Sequence, residues 1–287
     1  MPAAQSVYTL NNGLRGVEEN RLDSQHHIFL KQTNGKLIPD NVAAHLASLG
    51  RPVAVADVAT GTAVWIRQLA AQLPPTSRLD GYDFDMSKFP DALELPGNVK
   101  LTFADAMKPF APDVLGIYDM VHVRCLMFAL KAHEWEIVAE NLQTLLRPGG
   151  YLFWEEVGYP SWVCLPMTET FSKWITTEVQ YAASIGRDTS SPLLLKDQMH
   201  GAGYTNVTRE EWSTFSLPEP EQKLAGTGLN AAARQSMHGI VDRGGFEWIK
   251  THQAVDEVAD RIQSEIDSGL AQIGFTMYWV IGQKPEK

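Results

Sequence analysis

Short apolar runs alternate with stretches of helical periodicity between residues 53 and 157, and this alternation constrains the fold more than any other feature. Five runs are predicted strands: VAVADVA, RLDGYDFD, NVKLTFADA, YDMVHVRCLMFAL and YLFWEEV. Helical stretches such as VWIRQLAAQL and HEWEIVAENLQTLL separate some of them. Strands that alternate with helices of about 10–15 residues predict βαβ units and a parallel sheet.

The flanking segments predict one domain with additions. Residues 1–50 are a predicted N-terminal helical lid segment, and residues 51–287 form the predicted α/β domain. Within that domain we expect an insert at about 158–200 and a helical region at about 218–268. FTMYWVIGQ near the C-terminus is predicted to be the last strand.

Charge and cysteine content exclude several classes of function. The net charge is −10 and no Lys/Arg cluster is present, so we expect no nucleic-acid partner. No signal-peptide core is found and no apolar run reaches the ~18 residues of a membrane span, which predicts a cytoplasmic chain without a membrane partner. Cys125 and Cys164 lie in apolar surroundings without a CxxC pair, and no metal-ligand spacing occurs. We therefore expect no metal and a monomer or homodimer.

The first strand and the loop after it predict a ligand site. The strand places Asp57 at its carboxyl end, where doubly wound sheets bind ligands. The loop that follows contains Gly61, which lacks a Cβ and allows a close approach to the backbone. Thr60 and Thr62 offer hydroxyls beside the free N–H groups of the next helix.

Acidic residues also end the second and third strands. Asp83 lies 22 residues after Gly61 in the sequence. In doubly wound folds an acidic residue roughly 20 residues after the glycine loop binds ribose hydroxyls. Asp85 competes for this role, but Asp83 directly ends the strand. Asp105 is placed to accept from an adenine amine. Neither GxGxxG nor GxxxxGK[ST] is present, which favours an adenosine cofactor without phosphates.

Six motifs together carry a family resemblance: RLDSQHH, VADVATGTAVW, LDGYDFDMSKFP, ADAMKPF, YDMVHVR and LLRPGGYLFWEE. From about residue 18 to 157 the chain resembles the fungal class I methyltransferases of secondary metabolism, a family related in pattern to the methyltransferase-like global regulator of those pathways. The resemblance implies a Rossmann-like fold with a seven-stranded, mostly parallel sheet, an antiparallel last strand and a helical insert after the fifth strand. It also implies S-adenosyl-L-methionine as cofactor and S-adenosyl-L-homocysteine as product.

The resemblance further implies a role for each motif. The loop from Asp57 to Thr62 would border the methionine part of the cofactor, Asp83 the ribose, and Asp105 with Ala106 the adenine. RLDSQHH would lie on a helical segment that closes over the cofactor, and HVR would lie near its amino-acid end. The implied cofactor contacts are Gln25, His26, Asp57, Ala59, Thr60, Gly61, Thr62, Asp83, Phe84, Asp105, Ala106, His122 and Arg124.

The loop departs from the GxGxG pattern of this superfamily. Ala59 and Ala63 replace the outer glycines, and only Gly61 remains. A methyl group costs little at negative φ but strains the backbone at positive φ. The substitutions bear on the tightness of cofactor binding rather than on the fold.

Methyl transfer from a sulfonium needs positioning of the acceptor, and it needs a general base only where the acceptor retains its proton. The candidate catalytic residues are His122, Glu155 and Glu156, and His238 is a further candidate base. Because adjacent strand residues point to opposite faces, we expect at most one of the two glutamates to face the site. His122 has the alternative role of orienting a loop or contacting the cofactor.

The acceptor is predicted to be a small molecule of apolar or aromatic character. Aromatic residues between 154 and 181 include core residues, and the others suit an apolar pocket. The candidate substrate-binding residues are Trp162, Trp174, Tyr181, Met237 and His238.

Two other functions are compatible with the same motifs. A methyltransferase fold can retain its cofactor and catalyse cyclisation or a pericyclic rearrangement, and it can serve as a non-catalytic regulator. The mass of the product distinguishes the first, since methylation adds one CH₂ and rearrangement adds nothing. A regulator is disfavoured because the chain has neither a long polar arm nor a Lys/Arg cluster.

Overall fold

The computed structural model of the chain describes residues 8–10 and 15–286, so part of the predicted lid segment lies outside the described residues. The helices are α1 (Arg15–Gln32), α2 (Asp40–Ser48), α3 (Val64–Ala70), α4 (Trp135–Leu145), α5 (Glu169–Ser184), α6 (Leu195–Gly201), α7 (Glu219–Asp242) and α8 (His252–Asp267). The strands are β1 (Ala54–Val58), β2 (Arg78–Asp83), β3 (Val99–Phe103), β4 (Tyr118–Arg124), β5 (Leu146–Glu156), β6 (Trp162–Leu165), β7 (Thr205–Ser213) and β8 (Gln272–Gln283).

Within these residues the eight strands form one sheet in the order β3-β2-β1-β4-β5-β8-β6, and β7 also pairs with β8. The pairs among β1 to β5 are parallel, whereas β8 runs antiparallel to β5, β6 and β7. β1 is buried along its whole length, which explains why all of its residues except Asp57 are apolar. The predicted α/β fold with an antiparallel last strand is confirmed.

The sheet has one strand more than the seven predicted. The extra strand, β6, is formed by WVCL inside the predicted insert, and it pairs with the first residues of β8. Four residues are too few to show an alternating pattern, so the aromatic run around them gave no strand prediction.

The core lies on both faces of the sheet and is rich in large aromatic side chains. Trp135 of α4 stacks on Trp154 of β5 with ring centroids 5.5 Å apart. Phe153 of β5 meets Trp279 of β8 edge to face at 5.0 Å. These contacts fix α4, β5 and β8 relative to one another, and the parallel pairing of β4 with β5 and β1 places the carboxyl end of β4 beside β1.

In the part of the chain that the structure describes, no helix combines the length and the apolar character needed to cross a membrane. Among the same residues, no group of three or more His, Cys, Asp or Glu side chains is arranged to hold a metal ion.

Candidate functional site

The loop after β1 brings the predicted loop residues together around Asp57. The Asp57 carboxylate is 2% exposed, and its Oδ2 accepts a hydrogen bond of 2.5 Å from the Thr60 hydroxyl. Its Oδ1 lies 2.7 Å from Nδ1 of His122, the residue opposite it on β4. The loop is tied to β2 as well, because the Thr60 N–H donates to the Tyr82 carbonyl. Parallel pairing of β1 with β2 and β4 therefore fixes this loop from both sides.

Three residues of the loop adopt left-handed backbone conformations. φ is +57° at Ala59, +55° at Gly61 and +58° at Ala63. The two alanines thus keep the conformation that glycine adopts freely, at a cost of about 1–2 kcal/mol each. The departure from GxGxG therefore places backbone strain at two positions of the loop.

Glycine in place of Ala59 is expected to raise the free energy of unfolding by about 0.5–1 kcal/mol, because it relieves this strain at a partly exposed methyl group. Ala63→Gly is expected to be nearly neutral, since it also removes a fully buried methyl group worth about 0.8 kcal/mol. Urea unfolding measures the free energy of unfolding of both variants. Ala44→Gly on the exposed face of α2 is the control and should destabilise by about 1 kcal/mol. Loss of stability in Ala59→Gly would contradict the assignment of strain.

Asp83 lies at the carboxyl end of β2, next to the loop. Its Oδ2 accepts from the Gly61 N–H at 2.8 Å, and its Oδ1 accepts from the Asp85 N–H at 2.9 Å. Burial raises the pKa of Asp83, although both hydrogen bonds oppose that shift. Asp85 instead accepts from the backbone and hydroxyl of Ser87. Phe84, between the two acids, is 53% exposed.

The third acid lies beyond the end of β3. Oδ1 of Asp105 accepts from the Met107 N–H at 2.9 Å, and the Ala106 carbonyl accepts from the Asn141 amide at 2.8 Å. Both residues are partly exposed. The structure therefore places the predicted acids at three neighbouring strand ends.

His122 is fully buried beneath the loop. Its ring stacks on Trp65 with centroids 3.6 Å apart and planes 13° apart, and Phe153 lies 5.2 Å away. Burial alone lowers the pKa of His122, but the hydrogen bond with Asp57 and the charges of Asp57 and Glu155 outweigh it, so that the pKa is raised. A general base must reach the proton of the acceptor. Because the ring of His122 is covered, its alternative role of orienting the loop after β1 is favoured over that of a general base.

Both predicted glutamates of β5 are buried. Oε2 of Glu155 lies 3.9 Å from His122 Nε2 and 3.9 Å from Arg124 Nη1. The Glu156 carboxylate accepts from the N–H groups of Leu126 and Val157 and from the Trp154 indole. Burial raises the pKa of Glu156 to about 8. Glu156 thus anchors the chain after β4. Glu155 instead faces His122 and Arg124 of β4.

α1 packs against the loop through residues of the RLDSQHH motif. Asp23 accepts from the Thr62 hydroxyl at 2.9 Å, and a side chain at Gly61 would approach Leu22 within 3.2 Å. Asp23 and Leu22 were not predicted as site residues. Both contact the loop after β1, which is 39 residues away in sequence, and no local pattern indicates such a contact.

His26 of α1 makes hydrogen bonds to both α3 and β4. Its Nε2 lies 2.5 Å from Oε1 of the Gln68 side-chain amide, and the Arg124 guanidinium donates to its Nδ1 at 3.0 Å. A guanidinium can only donate, so Nε2 carries the proton and donates to Gln68. Burial and the charge of Arg124 lower the pKa of His26 to about 4, which keeps the ring neutral at physiological pH.

A cavity of about 1100 Å³ lies between α1 and α7. Its apolar lining includes Phe29, Phe128, Val157, Trp162, Leu229 and Phe275. Polar side chains of Ser24, Gln25, Asn230, Arg234 and His238 line other parts of it. α1 therefore contacts the loop after β1 through Leu22 and Asp23, and it lines the cavity through neighbouring residues such as Ser24 and Gln25.

The predicted substrate-binding residues divide between the cavity and the core. Trp162 and His238 line the cavity. Trp174 is 1% exposed and stacks on Trp162 at 5.3 Å, Tyr181 packs on Phe246, and Met237 is fully buried. Gln25, predicted to contact the cofactor, also lines the cavity.

No protein-family profile matches the chain. Among curated proteins, methyltransferase grgD of a Penicillium species is 33% identical over 165 residues, 55% of this chain and 55% of grgD. N-methyltransferase tcpN of Claviceps purpurea is 30% identical over 243 residues, 76% of this chain and 84% of tcpN. The secondary metabolism regulator laeA of Fusarium oxysporum is 24% identical over 86% of this chain and 78% of laeA. The chain thus spans about half of grgD and most of tcpN.

Solved structures share the fold at low sequence identity. A Haemonchus contortus phosphoethanolamine N-methyltransferase, solved with S-adenosylhomocysteine, has a TM-score of 0.54 and 15% identity over 99% of this chain and 61% of that chain. The [4+2]-cyclase SpnF has a TM-score of 0.52 and 18% identity over 86% of this chain and 80% of that chain. These likenesses confirm the Rossmann-like fold class.

Proposed function

Because the chain belongs to the fungal class I S-adenosylmethionine-dependent methyltransferases of secondary metabolism, we propose that it transfers a methyl group from S-adenosylmethionine to O, N or S of a small-molecule acceptor. The observation that carries this proposal is the juxtaposition at α1. This helix packs on the loop after β1, and it also lines a cavity of about 1100 Å³. A cofactor on the loop and an acceptor in the cavity would meet at α1.

The residues at the strand ends fit the cofactor. Asp83 is 5% exposed and lies beside Gly61, so its oxygens can accept from ribose hydroxyls at a point where the backbone allows close approach. The exposed ring of Phe84 can cover an adenine. The loop ATGTA carries no lysine or arginine, as suits a cofactor without phosphates.

S-adenosylmethionine supplies a methyl group on a sulfonium that is already activated for displacement. What remains for the chain is positioning and the exclusion of water. Asp57 and the loop to Thr62 would hold the methionine part, and Asp83 the ribose. α1 covers the loop through Leu22 and Asp23, which shields this region from solvent.

The cavity lining supports an apolar or aromatic acceptor. Phe128, Trp162 and Phe275 offer flat apolar surfaces, and the stack of Trp174 on Trp162 keeps that indole in place. Gln25 and Asn230 add hydrogen-bonding groups that can fix the orientation of the acceptor.

Calorimetric titration of the purified protein with S-adenosylmethionine and S-adenosylhomocysteine tests the cofactor assignment, and we expect micromolar binding of both. Incubation with S-adenosylmethionine and a panel of aromatic phenols, amines and thiols, followed by mass spectrometry, then tests transfer. A product heavier by one CH₂ supports methylation, whereas a product of unchanged mass indicates rearrangement. A folded protein that binds neither compound would contradict the proposed function.

A further inference from the structure

We propose that His122 is a positioning residue that fixes the Asp57 carboxylate at the cofactor loop and, through Glu155 and Arg124, connects this loop to α1. The inference rests on the proposed cofactor site. It assigns to His122 an action through Asp57 rather than contact with the acceptor.

The first support is the geometry between β1 and β4. Asp57 and His122 are register partners on these parallel strands, and their side chains meet at 2.7 Å. Trp65 stacks on the imidazole and Phe153 lies against it, so the ring has no free rotation. With one carboxylate oxygen held by His122 and the other by Thr60, Asp57 has a single orientation.

The second support is a row of polar side chains that continues from the His122 ring through Glu155 and Arg124 to His26 of α1. His122 Nε2 has no hydrogen-bond partner among the described residues, and it faces Glu155 Oε2 at 3.9 Å. Glu155 lies at the same distance from Arg124, which donates to His26 on α1. Asp57, His122 and Glu155 are each less than 5% exposed. At 3.9 Å, His122, Glu155 and Arg124 are too far apart for direct hydrogen bonds, so the attraction between them is electrostatic.

The charges along the row are complementary. Two carboxylates, Asp57 and Glu155, lie on either side of His122, and Arg124 provides one positive charge. Burial lowers the pKa of His122, but these two carboxylates outweigh it and raise the pKa. The row therefore holds the cofactor loop, the end of β4 and α1 in one arrangement.

The test compares His122→Asn with His122→Gln by calorimetric titration with S-adenosylhomocysteine. An asparagine amide lies near the place of Nδ1 and can still donate to Asp57, whereas a glutamine amide lies near Nε2 and cannot. We expect His122→Asn to bind within a few-fold of the unmodified protein. His122→Gln should lose roughly 10- to 100-fold in affinity, the value of a hydrogen bond to a charged group.

Tyr118→Phe provides the matched control. Tyr118 lies at the other end of β4, and its buried hydroxyl donates to Asp80 at 2.6 Å. This variant loses a buried hydrogen bond on the same strand but should keep its affinity for S-adenosylhomocysteine. Circular dichroism establishes that all three variants fold.

Proton NMR of the unliganded protein supplies a readout independent of the cofactor. The short hydrogen bond between His122 and Asp57 should give a downfield imidazole N–H resonance that is absent in both His122 variants and present in Tyr118→Phe. If the unmodified protein shows this resonance but does not bind S-adenosylhomocysteine, the proposed function fails. If the unmodified protein binds and the asparagine and glutamine variants have equal affinities, the role assigned to His122 is overturned.

Discussion

Glu178→Ala is expected to lower the free energy of unfolding by about 1.5–3 kcal/mol, because it removes a buried hydrogen bond to a charged group that joins α5 to α7. Glu178 on α5 is fully buried and accepts from the Ser236 hydroxyl of α7 at 2.6 Å. Arg187, 2% exposed, supplies the charge that faces it. Burial raises the pKa of Glu178, and the charge of Arg187 opposes that shift. Urea unfolding followed by circular dichroism measures the loss.

Two variants control this experiment. Glu178→Gln keeps an acceptor for Ser236 and removes only the charge, so its loss should be smaller than that of alanine. Glu140→Ala, on the exposed face of α4, should change stability by no more than about 0.5 kcal/mol. A Glu178→Ala protein within about 0.5 kcal/mol of the unmodified one would show that the buried Glu178 carboxylate does not stabilise the packing of α5 on α7.

The fold could be predicted from the sequence where each element carries its own signal. β1 and β4 are buried on both faces, so apolar residues occupy most of β1 and more than half of β4, and the intervening helices have apolar residues at helical spacing. β6 had no such signal, because four residues pair with β8 only through a contact more than 100 residues away in sequence. Its position depends on tertiary structure that no local pattern contains.

The candidate site was predictable to the same extent. Acids at the ends of neighbouring parallel strands must meet at one edge of the sheet, which placed Asp57, Asp83 and Asp105 from sequence. The contact of Asp23 with Thr62 joins segments 39 residues apart and follows from the packing of α1. The walls of the cavity could not be assigned either. Met237 and His238 are adjacent, yet one is fully buried and the other lines the cavity, since the packing of α7 decides which face is covered.

Asp83→Ala is expected to lower the affinity for S-adenosylhomocysteine by roughly 100-fold or more, because two hydrogen bonds from ribose hydroxyls to a charged group are lost. The carboxylate also accepts from the Gly61 and Asp85 N–H groups, so its removal frees the turn of the cofactor loop. Both effects act in the same direction. Calorimetric titration measures the affinity, and circular dichroism checks the fold of the variant.

Asp85→Ala is the matched control, since this acid lies two residues away and competes for the same role in the sequence. Its carboxylate accepts from Ser87 at the start of a short helical turn, whereas that of Asp83 accepts from Gly61 in the loop after β1. We therefore expect Asp85→Ala to lose no more than a few-fold in affinity for S-adenosylhomocysteine. Equal losses in the two variants would mean that the negative charge of the segment matters rather than the position of one carboxylate. A larger loss in Asp85→Ala would transfer the ribose contact to Asp85, because only a carboxylate that faces the ligand can accept from its hydroxyls.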